Sequence, residues 1–577
     1  MTESANGIFS GRRFPQVSPS FLAGIWTLTL MGLLIRVLRQ PTLPGTYSVR
    51  LDELLYGAQR LLKGQLLFSE LVNGGQPLDQ WLYAPSALLG GILGHRLYIL
   101  AVNLLVGCLL AWTIQNLARL RLIALSPGSF LPMAAAVFFV TGAQSFPEGI
   151  SGLPEHFSNG FLVLALFSLS RLQPDSLPSA ALRRGHLLLA GAGLALAWMA
   201  SPVWISPTVM VAIVGYVCLP GLRSLAGFLH VLAGGLMATL LVFAPYARLP
   251  DGLALAWAGS LQLPLELASR APGDSDQLLP LLGDFFRVQM AGLPVWLLLL
   301  VPSLALIVHA VQLARQPFSQ ADRLLILPVL SAVFGLETLQ AFLLKGLGRG
   351  EFQLLLVPLV LIMVCGFAVM EHSARLQQGM GRLVLLILSA ILFNNVFLAH
   401  VLHAPRQPNA LVRALEADRD ATRRFLLSRP GEGFTAPQDV ALQRQLHQRA
   451  STAGIGPEWS LNQRNLLPSW ATRKLELPTD SSAVCRQLTD PANQHVVWMR
   501  TDPDGPNTDL FFETCLNREP GRWEDISDHL QLSSGHYRLF RRRSDPLPPS
   551  SAGHGVEGGS MLSPLPLPSL PNAGPPR

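Results

Sequence analysis

Residues Ser48–Gly94 read SVRLDELLYGAQRLLKGQLLFSELVNGGQPLDQWLYAPSALLGGILG, and the reading of this stretch decides the fold. Asp52-Glu53 is an acidic pair placed just after a first long apolar run. Leu54, Leu55, Ala58, Leu61 and Leu62 follow at i, i+1, i+4, i+7 and i+8, the spacing of one helical face. Arg50, Arg60 and Lys63 put positive charge beside that face. Asn73-Gly74-Gly75-Gln76-Pro77 then breaks the pattern. A second apolar segment, about 78–93, has Trp81 and Tyr83 near its start. It is short of the ~20 residues that a bilayer crossing takes, and aromatic residues at its end suit a headgroup boundary. The spacing predicts two helices lying on a membrane surface, carrying an acidic pair and basic residues.

Working outward, the composition agrees with a membrane setting. Of 577 residues, 50% are hydrophobic and only 14% charged, with a mean hydropathy of +0.37; soluble chains carry about 25% charged residues. The shortfall lies between about residues 20 and 403. The expected fold is mainly α: a multi-pass transmembrane bundle of about 11 spans with interfacial helices in the first external loop, then a small external α+β domain. The expected divisions are a cytoplasmic segment at 1–20, the transmembrane domain at 21–403, the soluble domain at 404–543 and a Pro-rich disordered tail at 544–577. Spans are expected near 21–38, 97–117, 130–143, 157–169, 225–244, 291–313, 324–344, 352–370 and 383–402. The run 187–219 is too long for one span, and Ser201-Pro202 and Ser206-Pro207 divide it into two.

Short basic loops (Arg119 and Arg121; Arg171, Arg183 and Arg184) place the N-terminus in the cytoplasm and the C-terminal domain outside a plasma or inner membrane. The loops on the outer side are basic too, with Arg270, Lys345 and Arg349 beside the first-loop cations. A phosphate-holding site on the outer face would produce that pattern. The net charge of +7 comes from scattered arginines, which suits lipid headgroups or phosphate better than a nucleic-acid track, so no nucleic acid is expected as a partner.

In the tail, 409–428 reads as a helix with Gly431 beyond its end, and strand-like runs fall around 496–499, 510–512 and 537–540. Of the five cysteines, Cys108, Cys218 and Cys365 sit in apolar runs as small core residues. Cys485 and Cys515 lie in the tail, where an external location permits a disulfide between them; two buried thiols are the alternative.

No GxxxxGK[ST], HExxH, GxGxxG or GxSxG motif occurs, which leaves acidic and basic residues of the external loops to carry chemistry. Asp52 and Glu53 read either as an N-cap with a first-turn acid or as a general base or metal ligand at the membrane surface. Glu155, in Pro154-Glu155-His156 at the mouth of the fourth span, is a solvated loop acid or a second carboxylate converging on Asp52. Lys345 and Arg349 flank a Gly-rich turn and either snorkel or clamp a lipid phosphate.

With these residues in view, the chain resembles the GT-C membrane glycosyltransferases, nearest the protein O-mannosyltransferase and aminoarabinose-transferase group. The resemblance rests on Asp52, Glu53, Tyr56, Ala58, Leu61, Gly64, Pro77, Gly94 and Arg96, on Glu155, and on Gly348-Arg349-Gly350-Glu351-Phe352 through Pro358. It covers about residues 20–400, by architecture more than by identity. Two positions depart from the family pattern: Gly75-Gln76-Pro77 stands where the family often has Lys or His with Pro-Pro, and Glu351-Phe352 where it has His-Tyr or Thr-Tyr.

The resemblance implies transfer of a sugar from a polyprenyl-phosphate donor to a lipid, glycan or protein acceptor on the outer face of the membrane. It makes Asp52 the base, with Glu53 and Glu155 assisting. A divalent metal, if used, would be held by Asp52 and Glu155, and Lys345, Arg349 and Arg270 would hold the donor phosphate. The competing readings are a lipid or solute transporter or flippase and a non-catalytic assembly subunit of the same build.

Overall fold

The computed structural model describes residues 30–35, 46–64, 76–89, 91–120, 131–145, 154–172, 180–201, 224–262, 302–311, 326–333, 356–372, 410–429, 432–435, 493–499, 522–532 and 537–543, with isolated positions between them. These residues are mostly helical, with a small sheet near the C-terminus. The helices are α1 (Thr46–Leu62), α2 (Pro77–Leu89), α3 (Gly91–Arg119), α4 (Leu131–Ser145), α5 (Pro154–Ser170), α6 (Ala180–Ala200), α7 (Leu225–Phe243) and α8 (Gly252–Trp257). They continue with α9 (Pro302–Val311), α10 (Leu356–His372) and α11 (Ala410–Leu427).

Two stretches, Leu93–Arg119 and Leu225–Arg248, are long and apolar enough to cross a membrane. Together with the shorter apolar helices they give a membrane-type chain, and two is the number of described stretches that meet the length and hydropathy a span needs, against about 11 expected. The expected eleventh span lies outside the described residues. On α7 the outward face is apolar: Leu225 is 74% exposed and Leu241 69%, with Phe228, Leu232, Leu236 and Leu240 also exposed. An apolar stripe of that extent facing outward marks a face for membrane or protein contact.

Side-chain contacts give the helix directions. From α3 to α5, the Tyr98 ring lies 6.2 Å from Phe157, Trp112 lies 5.0 Å from Phe167, and Asn116 donates to Ser170 Oγ at 3.2 Å. The pairs advance together, so α3 and α5 run parallel and α4 returns the chain between them. Helix α6 runs back along α5, from Phe167–His186 at 6.3 Å to the Ser158 hydroxyl donating to the Ala197 carbonyl at 2.9 Å.

Helices α6 and α7 then run parallel. A Cβ added at Gly234 would lie 2.0 Å from the Leu188 carbonyl oxygen and one at Gly191 1.8 Å from that of Val231, while Met199 and Ala200 share an apolar cluster with Val242 and Phe243. The directions bring the starts of α3 and α5 and the ends of α6 and α7 to one end of the bundle.

The sheet in the tail has order β1 (Gly433–Thr435), β2 (Asn493–Met499), β4 (Tyr537–Arg542), β3 (Trp523–Asp525), with β1 parallel to β2 and the other pairs antiparallel. Leu426 of α11 packs on Phe434, Val497, Ile526, Tyr537 and Leu539. The expected strand at 510–512 and both Cys485 and Cys515 lie outside the described residues.

His495 is fully buried in this unit. Its Nε2 is 3.4 Å from Glu432 Oε2, and Phe425 meets its ring edge-on at 5.4 Å. Burial pushes the imidazole down to about 4; Glu432 pulls it up, and Arg429 and Arg541 push it down again. The unfolded chain therefore takes up a proton near pH 6.5, before the folded one does, and stability is lost as pH falls from about 6.5 toward 4. The full loss is on the order of 3 kcal/mol. Hydrogen exchange at the β2 and β4 amides of the full chain is expected to accelerate across that window, and His495→Gln is expected to flatten the dependence.

Candidate active site

The acidic pair sits in α1, but not where a cap would be. Helix α1 starts at Thr46 and has no acid in its first turn. Asp52 and Glu53 therefore lie in the second turn, where they cap nothing and where the helix-end field has largely decayed. The capping reading of this pair is corrected on that ground. Helix α1 ends at Leu62, and Gly64 two positions beyond has a φ of 85°, the left-handed geometry of a helix stop.

Helix α2 opens with Pro77 at its first position, a place where the missing N–H costs nothing. Asp79 supplies a reciprocal cap: its carboxylate accepts from the Gln76 N–H at 2.7 Å, while its own N–H donates to the Gln76 carbonyl at 2.9 Å. Asp79 and Gln80 are buried, and Gln80 Nε2 ties α2 to α1 by donating to the Gly57 carbonyl at 2.9 Å.

Tyr83 differs from the expectation. Trp81 is 45% exposed and fits a boundary position, but Tyr83 is fully buried. Its hydroxyl donates to the Gly152 carbonyl. Its ring stacks on His95 at 5.9 Å and meets Phe157 edge-on at 5.5 Å. His95 Nδ1 is 2.9 Å from Ser86 Oγ, and Tyr98 donates to the Leu82 carbonyl at 3.0 Å. Gly152 has a φ of 60°, and a Cβ there would fall 2.2 Å from Ile99 Cδ1, so both backbone and packing demand glycine. These contacts tie α2, the start of α3 and the entry to α5 into one unit.

Glu155 belongs to that unit. It was expected in a loop; it lies instead in the first turn of α5, where a carboxylate suits the helix N-terminus, and it is buried, as are His156, Ser158 and Asn159. The cluster that anchors α1 through Leu51, Leu54, Leu55 and Ala58 also contains Tyr83, Ile99 and Phe157. Leu51 adjoins Asp52 in sequence and Phe157 is two positions beyond Glu155. The two acidic elements thus share one apolar cluster at one end of the bundle.

The remaining site expectations fall elsewhere. Lys345, Arg349 and Arg270 lie outside the described residues, as do the side chains of Asp52 and Glu53. Among the described residues no three His, Cys, Asp or Glu side chains form a metal-holding group. Sequence reasoning missed Asp79, Ser86, His95 and Gly152, and put Tyr83 at the boundary. Only Asp79 had a local signal: an acid three positions after Gln76, just inside a Pro-initiated helix.

No family model and no curated protein sequence matches the chain. Among solved structures it is similar to the crystal structure of the Archaeoglobus fulgidus oligosaccharyltransferase tethered to an acceptor peptide containing the NVT sequon via a disulfide bond. The TM-score is 0.42 at 12% identity, over 82% of this chain and 69% of that one.

Proposed function

We propose that this chain is a membrane glycosyltransferase of the GT-C kind, which moves a sugar from a polyprenyl-phosphate donor to a lipid, glycan or protein acceptor at the outer face of the membrane. The observation that carries the reading is the acidic pair in the interior of α1, packed through Leu51, Leu54 and Leu55 into the cluster that holds Phe157 beside Glu155. A buried acid in an otherwise apolar chain, as Glu155 is, is costly. An acidic pair in the second turn of α1, on an element that shares an apolar cluster with the start of α5, supports that reading.

In the proposed step the acceptor hydroxyl attacks the sugar carbon. Its proton passes to the Asp52 carboxylate, the acceptor oxygen–carbon bond forms, and the carbon–oxygen bond to phosphate breaks. The electron pair of that bond leaves on the phosphate oxygen as polyprenyl phosphate. Asp52 then returns its proton to water. Glu53 and Glu155 assist through the negative field they set around the developing positive charge on the sugar. Arg270, Lys345 and Arg349 are proposed to neutralise the leaving phosphate.

The test is mass spectrometry of envelope glycolipids, glycans and glycoproteins from a deletion strain and its wild-type rescue. Loss of one sugar-bearing species, with its return on rescue, is the expected result and names the acceptor. An unchanged profile in the deletion strain, with the chain shown to be expressed in the parent, would remove the transferase reading.

A further inference from the structure

We infer that Arg60, held in place by Tyr56, is a phosphate-binding side chain of the proposed site. The inference rests on the transferase reading above and extends it to residues not placed there. Asp52, Tyr56 and Arg60 fall at i, i+4 and i+8 on α1, and so on one stripe of the helix. Tyr56 is buried, and its hydroxyl accepts from Arg60 Nε at 2.9 Å. Arg60 Nη2 donates to the same oxygen, and the guanidinium carbon lies 5.0 Å from the centre of the Tyr56 ring. Contacts to a residue four positions back draw the guanidinium along the helix toward the acidic pair. A guanidinium fixed by a buried phenol loses little freedom on gripping an anion, and its planar fork suits phosphate oxygens.

The spacing fits the chemistry. Helical residues eight apart are about 12 Å apart along the axis. That length accommodates a carboxylate at one end and a cation at the other, each making a hydrogen bond of about 2.7–2.9 Å, with acceptor oxygen, sugar carbon and phosphate between them. Lys63, one turn further on, adds a second cation; its ammonium is pushed down by what burial it has and by the Arg60 charge. Two like charges one turn apart repel, and an anion bound between them relieves that repulsion.

The test uses the full chain in phosphatidylcholine nanodiscs and measures binding of a C55 polyprenyl phosphate, the matching polyprenol, phosphatidylglycerol and inorganic phosphate. Wild type is expected to prefer the polyprenyl phosphate to the polyprenol by tenfold or more. Arg60→Gln is expected to remove most of that preference while leaving polyprenol binding unchanged. Arg60→Lys should keep part of it, and Tyr56→Phe should weaken it a few-fold. Phosphatidylglycerol competing as well as polyprenyl phosphate, or inorganic phosphate binding alone as tightly, would overturn the assignment to a polyprenyl carrier. If wild type prefers the phosphate and folded Arg60→Gln and Arg60→Lys proteins prefer it equally, the Arg60 assignment falls while the transferase reading stands. If wild type shows no preference, both fall.

Discussion

Asp52→Asn is expected to lower the transfer rate by about 10²–10⁴-fold, the span that a positioned general base contributes, with the protein still folded. The substitution is close to isosteric, and the residue lies in the second turn of a helix that starts at Thr46. No cap is lost, and Leu51, Leu54 and Leu55 continue to hold α1 on the cluster around Tyr83 and Phe157. Glu155→Gln should behave differently. Its residue lies in the first turn of α5, so removing the charge also removes a helix-end interaction of about 0.3–1 kcal/mol, and a smaller loss of rate should come with a small loss of stability. The measurement is turnover of purified protein on the donor and acceptor found by the envelope comparison, as a function of pH. Wild type should lose rate on the acid side as the base is protonated, and Asp52→Asn should lose that limb. A variant that keeps the wild-type rate would assign the proton to another group.

The second large effect concerns the crossing of α6 and α7, near the middle of both helices. Gly191→Val is expected to destabilise the α6–α7 pair by about 3 kcal/mol or more, at the upper end of overpacking costs. A Cβ at Gly191 would lie 1.8 Å from the Val231 carbonyl oxygen, and one at Gly234 2.0 Å from that of Leu188. Both obstacles are main chain, which cannot rotate aside as a long side chain does, so the helices must separate. Small residues at such crossings permit the close contact that drives association in lipid. Gly185 is the control: it is on the same helix with nothing within 4 Å of its added Cβ. Gly185→Ala should be neutral or slightly stabilising, since glycine inside a helix costs roughly 0.5–1 kcal/mol relative to alanine. Thermal unfolding of the two variants in the same detergent separates the cases. Equal melting temperatures would show that the crossing is not as tight as drawn.

The residues that carried the resemblance divide once their surroundings are known. Gly64 is a helix stop, Pro77 a helix start and Ala58 a packing position; a Cβ on Gly94 would meet that of Leu89 at 2.9 Å. These have structural reasons that need no reaction. Asp52 and Glu53 belong to the proposed reaction, and Tyr56 has a structural reason of its own in its contacts with Arg60. The motif is thus partly a description of how two short helices join a long one, and partly a set of charged groups that the join holds in place.

By itself the sequence determined the membrane-type character of the chain, the pair of short helices before the long α3, the break after Ala200 and the strand-forming runs at β2 and β4. Each follows from a local quantity: hydropathy over a window, spacing of apolar residues, a Pro or Gly at an end. Tertiary structure alone decided that Tyr83 is buried and not interfacial, that Glu155 opens a helix, that Asp52 lies inside α1, and that α6 and α7 run parallel. An aromatic beside a turn looks the same in sequence whether headgroups or Phe157 and His95 surround it, because burial depends on what other segments bring to it. Helix starts are equally ambiguous when capping residues such as Ser48 and Asp52 stand close together. Helix α1 starts at Thr46, and Leu51 and Leu54 pack with the distant Ile99 and Phe157, contacts that no local signal in the sequence reveals.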